Sequence, residues 1–118
     1  MYTPEAMQHF LKPRNVGALA DADGAGSATN AACGDTVRVT VSIKDGVISA
    51  VRFHSEACAG GIASCSAATE WANGKSIDEV RELDAAAVST LLGGLPEAKL
   101  GCAEMAATAL VAAVEDAS

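Results

Sequence analysis

Val37, Val39, Val41 and Ile43 alternate with Arg38, Thr40, Ser42 and Lys44. Side chains on a strand point to opposite faces in turn, so this pattern predicts a β-strand with one buried face. Asp45-Gly46 follows at once and predicts a tight two-residue hairpin turn. The return strand runs through Val47, Ile48, Val51 and Phe53 and closes at His54, its alternation broken around Ser49-Ala50. A hairpin is marginal by itself in water, so the rest of the chain must cover its apolar face.

The covering material reads as helical. Thr3-Pro4-Glu5 is a helix start, with a capping hydroxyl, proline at the first helical position and an acid in the first turn. That helix has Ala6, Phe10 and Leu11 on its apolar side and stops before Pro13. His9 is read as a packing or capping residue. Lys12 to Gly17 is a turn-rich connector. Residues 20–31 are small and polar; the first half reads as a loop and the second as a weak edge strand leading to Cys33. Asp21 and Asp23 lack the companions a calcium loop requires. A helix is expected over Ala59 to Ala72, with Ser64, Ala67, Ala68 and Trp71 on one face and Cys58, Ile62, Cys65 and Thr69 on the next. Asn73-Gly74 ends it. Ser76 and Glu79 form a capping box for the next helix. A further helix covers about Ala85 to Leu92 and stops at Gly93-Gly94. Leu95 to Gly101 is a linker, and Cys102 to Ala117 is the last helix, burying Met105, Ala106, Ala109, Leu110 and Val114. The expected fold is α+β, a small three-stranded antiparallel sheet packed against several helices, in one domain over residues 1–118.

Half of the residues are hydrophobic, but aromatics make up only 3%, so the core must be built from Val, Ile, Leu and Ala. The net charge of −7 and the absence of any basic run disfavour nucleic-acid binding. No apolar run is long enough to span a membrane. Met1 to Leu11 is mixed, with no basic flank before an apolar block, and predicts no secretory signal. A cytoplasmic protein is expected. Thiols stay reduced there, so the four cysteines read as metal-binding or reactive groups before disulfides.

Their placement sharpens that reading. Cys58 stands at a strand-to-helix junction in Glu56-Ala57-Cys58-Ala59-Gly60-Gly61, with flexible glycines behind it. Backbone N–H groups at a helix start favour a thiolate. Cys33-Gly34-Asp35 opens the first long strand, and extended backbone there would point Cys33 and Asp35 to one side. Cys102 repeats the arrangement of Cys58 at the last helix. The competing reading is that each cysteine is a small buried hydrophobe, but that predicts no preference for element ends. Three thiolates and a carboxylate suit a tetrahedral zinc site or the ligand shell of an iron–sulfur cluster. Cys65 lies seven residues along the helix from Cys58, about 10 Å of rise. It is read as a buried structural cysteine.

Several motifs in order carry a family resemblance. They are His9-Phe10 with Pro13-Arg14-Asn15-Val16-Gly17, Ala32-Cys33-Gly34-Asp35, Cys58-Ala59-Gly60-Gly61-Ile62-Ala63-Ser64, Thr69-Glu70-Trp71, Gly74-Lys75-Ser76 and Lys99-Leu100-Gly101-Cys102. In this order they resemble the IscU family of iron–sulfur cluster assembly scaffolds, which includes the N-terminal domain of NifU. The resemblance implies a binding and carrier protein, not an enzyme. It would build a labile [2Fe–2S] cluster from iron and desulfurase-derived sulfur and transfer it to apo-proteins. Its implied partners are a cysteine desulfurase, an iron donor or ferredoxin, and apo iron–sulfur proteins; a homodimer is compatible with this role. The family's ligand cysteines map onto Cys33, Cys58 and Cys102, and its aspartate onto Asp35, which in the family tunes cluster lability and can bind Zn2+ in the cluster-free form.

Two positions depart from the family. Many members carry histidine immediately before the last cysteine, where this chain has Gly101. Asp35 is then the first choice for the fourth ligand, with Glu104 or a second protomer as the alternative. Members served by a dedicated chaperone carry Leu-Pro-Pro-Val-Lys, where this chain has Leu95-Pro96-Glu97-Ala98-Lys99. The second functional reading is a zinc-dependent persulfide acceptor of the SufU type, which usually carries an insertion that this chain is too short to hold. The third is an α+β interaction module with incidental cysteines.

Overall fold

A computed structural model describes residues 2–118, so Met1, where the N-terminal stretch read above begins, lies outside the described residues. The expected hairpin is the centre of the sheet. β2 (Asp35–Lys44) and β3 (Val47–Glu56) pair antiparallel. Asp45 and Gly46 join them with φ of 55° and 75°, the left-handed backbone that a type I′ turn needs. Val37, Val39 and Val41 are buried on one face, together with Ile48, Val51 and Phe53. The broken alternation in β3 is a bulge: Ser42 pairs with Ala50 and Ile43 with Ile48, leaving Ser49 as the extra residue. The bulge keeps Ile48 and Val51 on one side and leaves Val47 exposed. His54 is exposed, but β3 continues past it to Glu56.

β1 (Gly24–Asn30) pairs antiparallel with β2 and completes the order β1-β2-β3. It begins within the stretch expected to be loop. Gly24-Ala25-Gly26 carries no apolar alternation to announce a strand, because its glycines face a helix too close to admit a side chain. A Cβ on Gly24 would collide with the Ala113 carbonyl oxygen, and one on Gly26 with that of Ala109. Asp23 just before it accepts a hydrogen bond from the Ile43 amide at 2.7 Å and so serves the backbone. On the opposite edge, Gly17 N donates to Phe53 O and Phe53 N to Asn15 O, both at 2.8 Å, and this covers the free edge of β3.

Five helices complete the described fold: α1 (Pro4–Leu11), α2 (Ala59–Ala72), α3 (Ile77–Arg81), α4 (Ala85–Leu91) and α5 (Leu100–Ala117). α5 lies across β1 and β2, α2 packs between α5 and β3, α1 rests on α2, and α3 and α4 lean on α5. Thr3 caps α1 by accepting from Ala6 N at 3.0 Å, and the Ser76–Glu79 capping box opens α3. α2 is buried on nearly every side, so its division into two faces gives way to a central helix. Its hydroxyls are satisfied locally, with Ser64 donating to Gly60 O at 2.7 Å and Thr69 to Cys65 O at 2.8 Å. α5 starts two residues earlier than expected, after a short 3-10 turn over Glu97–Lys99. Gly101, expected at the end of the linker, sits in the first helical turn instead.

Candidate metal centre

β1 ends at Asn30, and the turn before β2 carries Cys33. Cys33 N donates to Asn30 O at 3.1 Å, and Gly34 takes a φ of 70°. The chain at Cys33 is therefore a tight turn and not extended. That turn, and not strand alternation, sets Cys33 beside Asp35. Cys33 is exposed, whereas Asp35, the first residue of β2, is only 4% exposed.

Asp35 is tied to the junction between β3 and α2. Its Oδ1 accepts from Cys58 N at 3.2 Å and its Oδ2 from Cys58 Sγ at 3.2 Å. Cys58 is the N-cap of α2, yet its side chain makes no capping bond; the sulfur turns to the carboxylate. Gly60 and Gly61 are not flexible spacers. Both lie inside α2, and their missing side chains make room for the centre. A Cβ on Gly61 would sit 3.1 Å from Asp35 Oδ2, and one on Gly60 would sit 3.4 Å from Cys102 Sγ.

Cys102 lies in the first turn of α5 and is buried. Its Sγ is 3.7 Å from Cys58 Sγ and 4.0 Å from Asp35 Oδ2. One ligand atom each from Cys33, Asp35, Cys58 and Cys102 lies within 4.8 Å of all the others. The structure thus brings all four sequence-derived residues together, with the exposed Cys33 at the rim and Cys102 and Asp35 at the base. Glu104 is not in this group. Cys65 is also outside it, buried in the main core.

The electrostatics correct one expectation. A helix start favours a thiolate, but burial pushes the Cys102 thiol up to about 12, helped by its bond with Cys58 and the charges of Cys58, Cys33 and Asp35. The helix terminus is worth only about 0.3–1 kcal/mol, which desolvation and like charges outweigh. A bound cation reverses that balance, because it deprotonates the thiols that coordinate it. Burial, reinforced by Cys102 and Asp35, also raises Cys65 to about 12. Lys99 supplies positive charge at the rim, its Nζ 3.9 Å from Cys58 Sγ. Cys58 above all, then Tyr2 and Cys33, raise its own pKa and keep it charged. Lys99 was visible as the end of the Leu95–Lys99 motif and Gly61 as one of the glycines behind Cys58, read as flexible, but nothing in the sequence signals the support given by Asn30.

A family model described as the NifU-like N terminal domain matches residues 1–117. The iron–sulfur cluster assembly scaffold protein IscU 1 of Archaeoglobus fulgidus is 43% identical over 116 residues, covering 98% of this chain and 76% of that protein. The IscU scaffold protein of Escherichia coli is 35% identical over 119 residues, covering 98% and 92%. A crystal structure of a NifU-like protein (N-terminal) from Brucella abortus superposes with a TM-score of 0.78 at 22% identity, covering 98% of this chain and 92% of that one. The NifU-like fold, and sequence similarity that runs almost from end to end, place this chain in the NifU-like N-terminal domain family, among the IscU-type scaffold proteins.

Proposed function

We propose that this chain is a scaffold on which a labile [2Fe–2S] cluster is assembled from iron and desulfurase-derived sulfur, then handed to apo-proteins. Cys33, Asp35, Cys58 and Cys102 are its ligands, and residues 1–118 act as a single scaffold domain. The observation that carries the reading is the four-donor group gathered within 4.8 Å.

The donor set fits such a cargo. Thiolates are the usual protein ligands of iron–sulfur clusters, and a carboxylate is a harder, more exchangeable one. Asp35 is buried and has no salt bridge among the described residues, so a cation at the centre would neutralise a carboxylate that is otherwise costly to bury. Cys33 lies at the open rim, where a desulfurase or an acceptor's thiol can reach the centre. Lys99 offsets part of the negative charge that accumulates as the thiols ionise. The same three sulfurs and carboxylate also match the tetrahedral preference of zinc, which would occupy the cluster-free form. An iron donor or ferredoxin and apo iron–sulfur proteins are the remaining partners. No helix among the described residues is long and apolar enough to cross a membrane.

Anaerobic reconstitution with iron and sulfide tests the proposal. Visible absorption bands that disappear as an apo-ferredoxin gains its own cluster support the scaffold reading. Tightly held zinc with persulfide turnover and no cluster would move the function to sulfur acceptance. Binding of neither metal nor sulfur would leave an interaction module.

A further inference from the structure

Gly24, Gly26, Ala28 and Asn30 occupy alternate positions of β1 and so share one face of the strand. Gly24 and Gly26 press against the backbone of α5 at Ala113 and Ala109, and at the far end of the stripe Asn30 meets Gly101. A Cβ on Gly101 would stand 3.1 Å from Asn30 Nδ2. The Asn30 amide packs tightly against this bare backbone and reaches the base of the centre, where Nδ2 donates to Cys102 Sγ at 3.7 Å. The main chain of the same residue holds the other side. Asn30 O accepts from Cys33 N at 3.1 Å, and Asn30 is the ladder partner of Asp35. Asn30 therefore contacts or pairs with three of the four residues of the group.

Hydrogen bonds to a coordinating sulfur orient it and draw charge from it, which tunes both metal affinity and redox potential. We propose that Asn30 is a positioning residue of the centre: its side-chain amide fixes the Cys102 sulfur and withdraws charge from it, in a gap that Gly101 leaves open. Gly101 is then not only a missing ligand; it admits this donor. The inference rests on the reading of the four-donor group as a metal centre.

The test titrates zinc and cobalt(II) into wild type, Asn30→Ala, Asn30→Asp, Gly101→Ala and the Asn30→Ala/Gly101→Ala double variant. Asn30→Asp removes the donor but adds a carboxylate that can itself bind the metal, so its readout is the cobalt(II) band and not the affinity. Gly101→Ala favours the helix, so folding is retained while the new Cβ, 3.1 Å from Nδ2, pushes the amide by a few tenths of an ångström. Asn30→Ala is expected to weaken zinc binding about tenfold and to shift the thiolate-to-cobalt charge-transfer band, and Gly101→Ala to change both in the same direction by less. The double variant is expected to be no worse than Asn30→Ala, because both substitutions remove one interaction. Affinity within about twofold of wild type and an unmoved band in Asn30→Ala, or additive losses in the double variant, would overturn the inference. Nuclear magnetic resonance of the metal-free protein separates its failure from that of the metal-centre reading. A wild type that binds neither ion sinks the metal centre. An Asn30 side-chain amide signal that ignores Cys102→Ser sinks the positioning role.

Discussion

Asp35 is a carboxylate in a place where a chain without cargo gains little from one. It is buried, and its two oxygens are taken up by the amide and the thiol of Cys58. As a ligand it would leave one corner of the cluster easier to displace than three thiolates could. Asp35→Ala is therefore expected to lengthen cluster lifetime and slow transfer to an apo-ferredoxin severalfold, with circular dichroism unchanged. Its cost to folding, the two hydrogen bonds from Cys58 N and Cys58 Sγ, is about 1–2 kcal/mol. Glu104→Ala is the contrast and should leave both rates as they are; the opposite pattern in the two variants would give the fourth position to Glu104. Cys65 makes the complementary case. It is 2% exposed in the core, so Cys65→Ser should keep one zinc per chain while urea denaturation shows a loss of about 1–3 kcal/mol for the buried hydroxyl. In the metal-free protein at neutral pH, an alkylating reagent should label the exposed Cys33 first and reach Cys65 and Cys102 last. Both are buried and pushed up to about 12.

Among the elements, the contact of β1 with α5 decides how deep the centre lies. Gly24 and Gly26 let the helix backbone approach the strand directly, and that approach brings Gly101 and Cys102 against Asn30 and Asp35. Gly26→Ala forces a Cβ into the Ala109 carbonyl and the Ala113 amide, which are backbone atoms that cannot swing aside. It should destabilise the fold by about 2 kcal/mol in urea and weaken zinc binding as well, since α5 must retreat and takes Cys102 with it. Gly61→Ala acts on the other side. Its Cβ would stand 2.7 Å from Ala57 Cβ and 3.1 Å from Asp35 Oδ2, so it should impair metal binding more than its stability loss suggests. By contrast Ser76→Ala removes the cap of α3, far along the chain from the centre, and should cost about 1 kcal/mol without touching metal affinity.

For the whole molecule, the buried thiols set an alkaline limit. Cys65 rises from an ordinary 9.0 to about 12 on folding, so the folded chain holds a proton that the unfolded chain releases. The stability this contributes is present in full below pH 9.0 and is lost as pH climbs towards about 12. Urea midpoints of the metal-free protein should fall across that window, and less steeply in Cys65→Ser. The hairpin, the caps of α1 and α3 and the extent of α2 were legible because each is written in neighbouring residues: alternation at Val37 to Ile43, the Asp45-Gly46 turn, Thr3, Ser76 with Glu79. Cys33, Cys58 and Cys102 were legible as a set through their placement and through motifs in a recognisable order. β1 was half hidden, because its glycines are chosen by a helix more than eighty residues away and not by their neighbours. The start of α5, the inward turn of the Cys58 sulfur and the depth of Cys102 were hidden for the same reason. Local backbone preference and period are properties of adjacent residues, so the sequence alone determined most of the elements and which side chains are the candidates for the centre. Distances between α2, α5 and the end of β1 depend on packing across the core. Only the tertiary structure could decide that an aspartate is buried among three thiols and that a glycine makes room for an asparagine at the last of them.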